Sequence, residues 1–318
     1  MKTKKIIAVL LLSVTLSGCS GSSDVRNKAF IKEIGVDYGE TQEISLRTFG
    51  SDEVIKGNGK TLLSAVGDCE NTQSKNLFSG HLEVFASSPA NIGNNLLTLL
   101  SNNRISPSCY VLCVPENAVS FIDKEGGKLA ELIRSSGRNG IILPRTISGV
   151  LNDLLESDRK ASVPVQKDGR LTMAVISPNE LIGTLSEDES KGLCWLHGNV
   201  KDVYLPIEYD GNTTDFYIRK SNTKITAERS GDKINITVEI KINGNSDDSN
   251  KNSAKAVEEV SKTISALCSK TIAKTVTVMK ADLFGIERTI KSARLTNETE
   301  WEKIIPLLNF SYNIKIAQ

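Results

Sequence analysis

One ten-residue run limits the fold of this chain more than any other. In KINITVEIKI, residues 233–242, Ile234, Ile236, Val238, Ile240 and Ile242 alternate with Asn235, Thr237, Glu239 and Lys241. Successive side chains on a strand point to opposite faces, so this strand has one apolar face and one wet face. It therefore needs an apolar cover on one side and water on the other. SGDK just before it closes a hairpin with a second strand at 223–229. The polar loop NGNSDDSNKN follows, and from about 253 to 280 the chain reads as one long helix. Its stripe of Val257, Val260, Ile264, Leu267, Ile272, Val276 and Met279 supplies the cover. The closing segment FSYNIKI puts Phe310, Tyr312, Ile314 and Ile316 on one face. These pieces predict a unit in which one long helix lies over an antiparallel sheet.

The first half has a different rhythm. AFIKEIGVD and EISLRTFG, joined by DYGETQ, predict a hairpin. Leu62, Leu63, Ala65, Val66 and Cys69 recur at helical spacing, and HLEVFA follows as a strand. Pro89 opens a helix with Ile92, Leu96, Leu97, Leu99 and Leu100 on its apolar face. SCYVLCVP reads as a buried strand, with helices after it over 125–135 and 146–155. QKDGR, residues 166–170, is a turn and marks the domain boundary. LTMAVIS beyond it is a strand, and SEDESKGLCWLHG starts acidic, as a helix N-terminus should. The predicted class is thus α+β (mixed α/β) in several small domains. A mixed α/β region spans 25–168 and an α+β domain spans 169–318.

The N-terminus carries a processing signal. Lys2, Lys4 and Lys5 precede the apolar run IIAVLLLSVTL, and the small residues Ser17 and Gly18 precede Cys19. The apolar run is shorter than the roughly 20 residues of a membrane span. Leu-Ser-Gly-Cys matches the bacterial lipobox, whose cysteine thiol receives a diacylglyceryl group and becomes the new N-terminus. Two acyl chains hold where one does not, at about 0.8 kcal/mol for each buried methylene. Residues 1–18 are therefore expected to be a lipoprotein signal peptide, Cys19 the lipidation site, and 19–24 a tether. An ordinary secreted protein with a chance cysteine is the competing reading. Losing residues 1–18 removes three lysines and no acids, so the 39 basic residues become 36 against 38 acidic ones. A chain so near neutrality has no electrostatic pull toward nucleic acid.

The search for chemistry returns little. Of the six cysteines, Cys69, Cys109, Cys113, Cys194 and Cys268 follow the lipobox, and none forms a CxxC. Cys109 and Cys113 fall on one face of a strand about 13 Å apart, too far for a disulfide, and read as core residues. His81 and His197 have no partner at metal-ligand spacing. Asp153 and Glu156 at i, i+3 are the usual wet face of an amphipathic helix. No GxSxG, HExxH, P-loop or GxGxxG appears, so no catalytic residue, cofactor or metal is expected. The residues describe a tethered binding or assembly module, with Asn235, Thr237, Glu239 and Lys241, and the polar loop 244–252, as candidate partner surfaces.

Several segments together resemble one family. The lipobox followed by DVRNKAFIKEIGVDYGE is similar to the N-terminus of the Ger(x)C lipoproteins, the C subunits of spore germinant receptors. There the strand ends in a pattern matched here by Ile34, Gly35, Val36 and Asp37. KNLFSGHLEVF resembles the family's Gly-His strand, and LTMAVISPNELIGTLSEDESKGLCWL the start of its C-terminal domain. KADLFGIER resembles its Ala-Asp-x-Phe-Gly signature, and EWEKI with FSYNIKI its Trp-containing segment and closing strand. Ser20 stands where the family often has Trp. The resemblance implies a non-enzymatic lipoprotein on the outer face of the spore inner membrane. It would assemble with an A and a B membrane subunit, with Gly35 and Gly285 serving backbone geometry and Asp37 and Asp282 turn or cap hydrogen bonds. A solute-binding lipoprotein of an ABC importer is the alternative, since it too begins with a lipobox and has about this length. Against it stand the antiparallel second half and the sparse aromatics.

Overall fold

The computed structural model describes residues 28–73, 76–90, 92–101, 105–156, 160–209, 212–246 and 254–317. The leader, Cys19 and the tether lie outside these residues, as do positions 247–252 of the polar loop.

Strand β1 (Lys28–Tyr38) turns back through Gly39 into β2 (Gln42–Thr48), and β3 (Val54–Gly59) extends the meander. Val36 faces Ile44 and Ile34 faces Leu46, all four buried. Helix α1 (Leu62–Thr72) starts from a capping box of Thr61 and Ser64. The short β4 (Asn76–Phe78) pairs with the start of β1. Then β5 (Val84–Ser87), α2 (Ile92–Ser101) and β6 (Tyr110–Cys113) follow in turn. Three helices come next: α3 (Ala118–Glu125), α4 (Leu129–Arg138) and α5 (Ile147–Leu155). The expected helix over 125–135 is α4, which starts only at Leu129, beyond Gly126 and Gly127, and α3 ahead of those glycines was not expected. Strand β7 (Ala161–Lys167) turns through Asp168 and Gly169, both at positive φ, into β8 (Arg170–Ile176) and then β9 (Leu181–Thr184). The sheet order is β3-β2-β1-β5-β6-β7-β8-β9, parallel from β1 through β7 and antiparallel at both flanks. The sheet runs without a break through the turn at 168–169.

Alternation along the strands assigns two covered faces. Phe85, Val111, Cys113 and Val163 face α1, α2 and α5 in one core. Val84, Ala86, Leu112, Met173 and Val175 face α3 and α4 in the other. That second core continues through α6 (Glu187–Leu196) into the rest of the chain. Helix α6 opens with a capping box of Ser186 and Glu189, and its residues from Gly192 to Leu196 are buried. A Cβ on Gly192 would stand 2.7 Å from the Leu267 carbonyl carbon, so glycine permits the close crossing there.

Strands β10 (Val203–Tyr209), β11 (Asn212–Ser230) and β12 (Lys233–Ser246) form an antiparallel meander. Gly231, at positive φ, turns the β11–β12 hairpin. Helix α7 (Ala254–Ile272) lies across the apolar face, where Ile234, Ile236, Val238, Ile240 and Ile242 meet Val260, Ile264, Leu267 and Cys268. Its continuation, Ala273–Val278, is a π-helical stretch rather than the expected α-helix. The run Thr-Val-Thr-Val is β-branched, and the Thr271 and Thr275 hydroxyls bond carbonyls one turn back, which disfavours regular α geometry. Helices α8 (Ile286–Ser292) and α9 (Trp301–Ile304) lead to β13 (Leu308–Ala317). β13 pairs parallel to β12, so the expectation of an antiparallel sheet holds for three strands and fails for the fourth. A helix between two strands of one sheet is the ordinary route to parallel pairing. Among the described residues, no helix is long and apolar enough to cross a membrane.

Candidate functional site

The wet face of the second sheet is a ladder of matched polar side chains. The Asn309 amide donates to Asn235 Oδ1 at 3.2 Å, and the hydroxyls of Thr237 and Ser311 lie 3.2 Å apart. Lys315 pairs with Glu239, and Lys241 reaches the other oxygen of Glu239 at 3.4 Å. The Asn235–Asn309 and Thr237–Ser311 contacts join positions that the parallel register sets side by side, the Glu239–Lys315 pair is a cross-strand diagonal, and Lys241 reaches Glu239 along the same strand. The Lys315 hydrogen bond, with Lys241 beside it, holds the Glu239 carboxyl below the usual glutamate range. The four residues singled out from the sequence thus share one face; Asn235, Thr237 and Glu239 are half-buried between neighbouring strands, and Lys241 is exposed. On this face the polar groups pair with one another, Glu239 with Lys315 and Lys241 and the Thr237 hydroxyl with that of Ser311, and a hydrogen-bonded, charged surface of this kind suits recognition of another macromolecule.

The sequence reading missed what stands beside this ladder. Tyr204 and Tyr217, opposite each other on β10 and β11, have ring centroids 5.1 Å apart, and Tyr204 is 57% exposed. The Tyr217 hydroxyl donates to Asp202 at 2.9 Å, and Arg219 lies 3.4 Å from the Asn243 side-chain oxygen. Tyrosine and arginine are the residues that most often anchor interfaces. Their signal in the sequence was the alternation in VYLPIEY and TDFYIRK.

Residues of the family-like motifs have structural duties. A Cβ on Gly35 would stand 2.6 Å from Ile122 Cγ1 and nearer still to the Ala118 carbonyl oxygen, so Gly35 lets α3 lie against β1. Asp37 accepts from the Ala118 and Val119 amides, each at 2.9 Å, and so holds the first turn of α3. Glu33, fully buried on the same strand, does the same for α4 through the Gly127 and Leu129 amides. Asp282 accepts from the Phe284, Ile286 and Glu287 amides, and Gly285 at φ 70° begins α8. Gly35, Asp37, Asp282 and Gly285 thus position helices.

The other chemical candidates are dispersed. His81 is exposed, its ring 5.4 Å from that of Phe30, while His197 is exposed beside Phe284 at 5.6 Å. Asp153 pairs with Arg145, and Glu156 with Arg288 at 3.2 Å. Cys69, Cys109, Cys113, Cys194 and Cys268 are buried and unpaired. Burial pushes the thiols of Cys69, Cys113, Cys194 and Cys268 up to about 12, and that of Cys109 upward as well. Among the described residues, no group of three or more His, Cys, Asp or Glu is placed to hold a metal ion.

Comparison with known proteins gives a consistent answer. Residues 172–317 match the family described as spore germination B3/GerAC like, C-terminal, and residues 21–167 match the spore germination protein N-terminal domain. Spore germination protein B3 of Bacillus subtilis (strain 168) is 24% identical over 262 residues, covering 71% of this chain and 70% of its own. The crystal structure of the GerBC protein has the same fold, with a TM-score of 0.57 at 18% identity over 90% of this chain and 97% of that one.

Proposed function

The chain belongs to the GerAC-like family of spore germination proteins, and from that premise we propose that it is a non-enzymatic subunit of a nutrient germinant receptor. It is held at the membrane by acyl chains on Cys19 and works through contacts with an A and a B membrane subunit. One observation carries the reading: two models of this family, in the family's order, cover residues 21–167 and 172–317. The lipobox ending at Cys19 lies immediately ahead of the first match. Tethering in the partners' own membrane raises their effective concentration, so individually weak contacts suffice. The ladder of Asn235, Thr237, Glu239 and Lys241, with Tyr204 and Tyr217 at its side, is the surface best suited to make them.

The importer alternative fits less well. A solute-binding protein closes two lobes on its ligand, whereas here one apolar core runs from the first sheet through α6 into the second. Neither the family models nor the relative points to an importer. The lipobox and the family together support a location on the outer face of the spore inner membrane. The experiment complements spores lacking the native gene with wild type or Cys19→Ala and follows nutrient-triggered loss of optical density. Wild type is expected to restore germination, while Cys19→Ala fails and leaves the membrane fraction. Full restoration by Cys19→Ala would contradict the anchor, and no rescue by wild type would contradict the receptor role.

A further inference from the structure

The end of the first sheet where β1 begins gathers aromatic and basic side chains at the surface. Phe30, Phe78 and His81 form a ring cluster, with centroids 5.5 Å apart for Phe30–Phe78 and 5.4 Å for Phe30–His81. The Lys28 ammonium lies 5.2 Å from the centre of the Phe78 ring, and the Lys32 ammonium 5.8 Å from that of Phe49. Phe49 is 46% exposed, and its amide donates to the Phe30 carbonyl at 2.9 Å, which fixes it beside the cluster. Between Phe30, Phe49, His81, Tyr110 and Arg134 lies an open groove of about 670 Å³. Around it stand Lys28, Lys32 and Arg134 against Glu83 and Asp52; Arg134 is paired with Glu83 at 3.2 Å, the Lys32 ammonium also donates to the Gly127 carbonyl, and the nearby Arg47 guanidinium is taken up by the Ile122, Asp52 and Asp123 carbonyls.

We propose that this patch is a membrane-docking surface, on which Phe49 and the neighbouring rings enter the headgroup layer while Lys28 and Lys32 meet anionic lipid phosphates. The inference rests on the reading of Cys19 as the anchor. Lys28 is nine residues after Cys19, so a fully extended chain keeps the start of β1 within about 32 Å of the lipid. The other end of the same strand, at Tyr38, is ten residues farther on, roughly 33 Å away at strand rise. The patch therefore lies at the tethered end. Its chemistry matches that of an interface, where aromatic rings sit at headgroup depth and lysine stems lie along apolar surface with their charge in water. Docking there would hold the body in one orientation, leaving the four-stranded sheet a defined direction for its partners.

The test uses the full-length processed protein reconstituted in vesicles of phosphatidylcholine and phosphatidylglycerol with a headgroup nitroxide lipid. Phe49→Trp reports from the patch, and Tyr38→Trp, at the exposed far end of β1, is the control. Trp195 and Trp301 are buried and give a constant background. The expected result is strong quenching of Phe49→Trp and little of Tyr38→Trp. Adding Lys28→Glu, or removing phosphatidylglycerol, should lower the ratio of docked to undocked protein about fivefold for each unit of charge interaction lost. Equal quenching at both positions overturns the proposal, as does protection of Phe49→Trp only when other receptor subunits are present. The mass of the mature N-terminus and flotation with vesicles are read on the same samples. A lipidated, floating protein with unquenched Phe49→Trp defeats the docking surface alone, whereas an unlipidated chain that does not float defeats the anchor and the docking surface together.

Discussion

Gly35 offers the sharpest test of how the first sheet is built. Alanine there adds one methyl group between β1 and α3, and its carbon would stand 2.6 Å from Ile122 Cγ1 and 2.9 Å from the Ala118 carbonyl carbon. Carbon atoms pack at about 3.5–4.0 Å, so the helix must retreat by roughly 1 Å, because its obstructing atoms include backbone that cannot rotate away. Overpacking of this kind costs about 1–3 kcal/mol. Retreat also stretches the two 2.9 Å bonds from the α3 amides to Asp37, each worth about 1 kcal/mol. The sum, about 3–5 kcal/mol with both bonds lost, is a large part of the roughly 5–15 kcal/mol that stabilises a folded domain. With a urea slope of roughly 3 kcal/mol/M, the unfolding midpoint falls by about 1 M or more. Gly67 is the internal control, since it lies inside α1 with nothing within 4 Å of an added Cβ. Alanine there improves helix propensity by about 1 kcal/mol and raises the midpoint. The two substitutions are chemically identical and should have opposite signs. A Gly35→Ala midpoint at or above wild type, with circular dichroism unchanged, refutes the close approach of α3 to β1.

Three other outcomes follow from the same geometry. Native protein at pH 8 should leave Cys69, Cys109, Cys113, Cys194 and Cys268 unlabelled by a maleimide, with full labelling in guanidinium; rapid native labelling of any of them contradicts its burial. Ile264→Asp buries a carboxylate at a fully buried position and should cost about 4 kcal/mol or more, read as a lowered urea midpoint; an unchanged midpoint means that α7 does not cover β12. Glu239 should titrate below the usual glutamate range by carbonyl-carbon NMR, and Lys315→Ala should move it upward. Because its folded value is depressed, the pairing stabilises above the unfolded glutamate's titration and fades as pH falls through the folded one; a midpoint indifferent to Lys315→Ala contradicts the ladder.

Much of the second half was legible because its pattern is binary. The alternation of Ile234 to Ile242 and the stripe around Ile264 specify a face each, and burial alone brings them together. Strand direction was harder, since β13 looks the same read either way; only the helix between β12 and β13 carried the parallel pairing. Helix α3 escaped notice because its cap comes from Asp37, eighty residues upstream, as well as from Asn117 next door. Strand β7 was hidden by Pro164, which usually marks an edge. Its β6 flank pairs only through Cys113 and Val165, so it behaves like one. At the candidate site the ladder residues on β12 were readable from alternation. Their partners Asn309, Ser311 and Lys315 depended on the register of β13, which no local pattern states.

The central claim is that this chain acts as a subunit among membrane partners, and one measurement addresses it directly. The full-length protein, tagged at its C-terminus and expressed at its native level, is purified from detergent-solubilised spore inner membranes, and co-purifying proteins are quantified by mass spectrometry. The account predicts recovery of one A-type and one B-type receptor subunit in fixed ratio, with recovery reduced by Glu239→Lys and Tyr204→Ala on the outer sheet face. Recovery of the chain alone, or with the membrane and ATP-binding subunits of an importer, would contradict it.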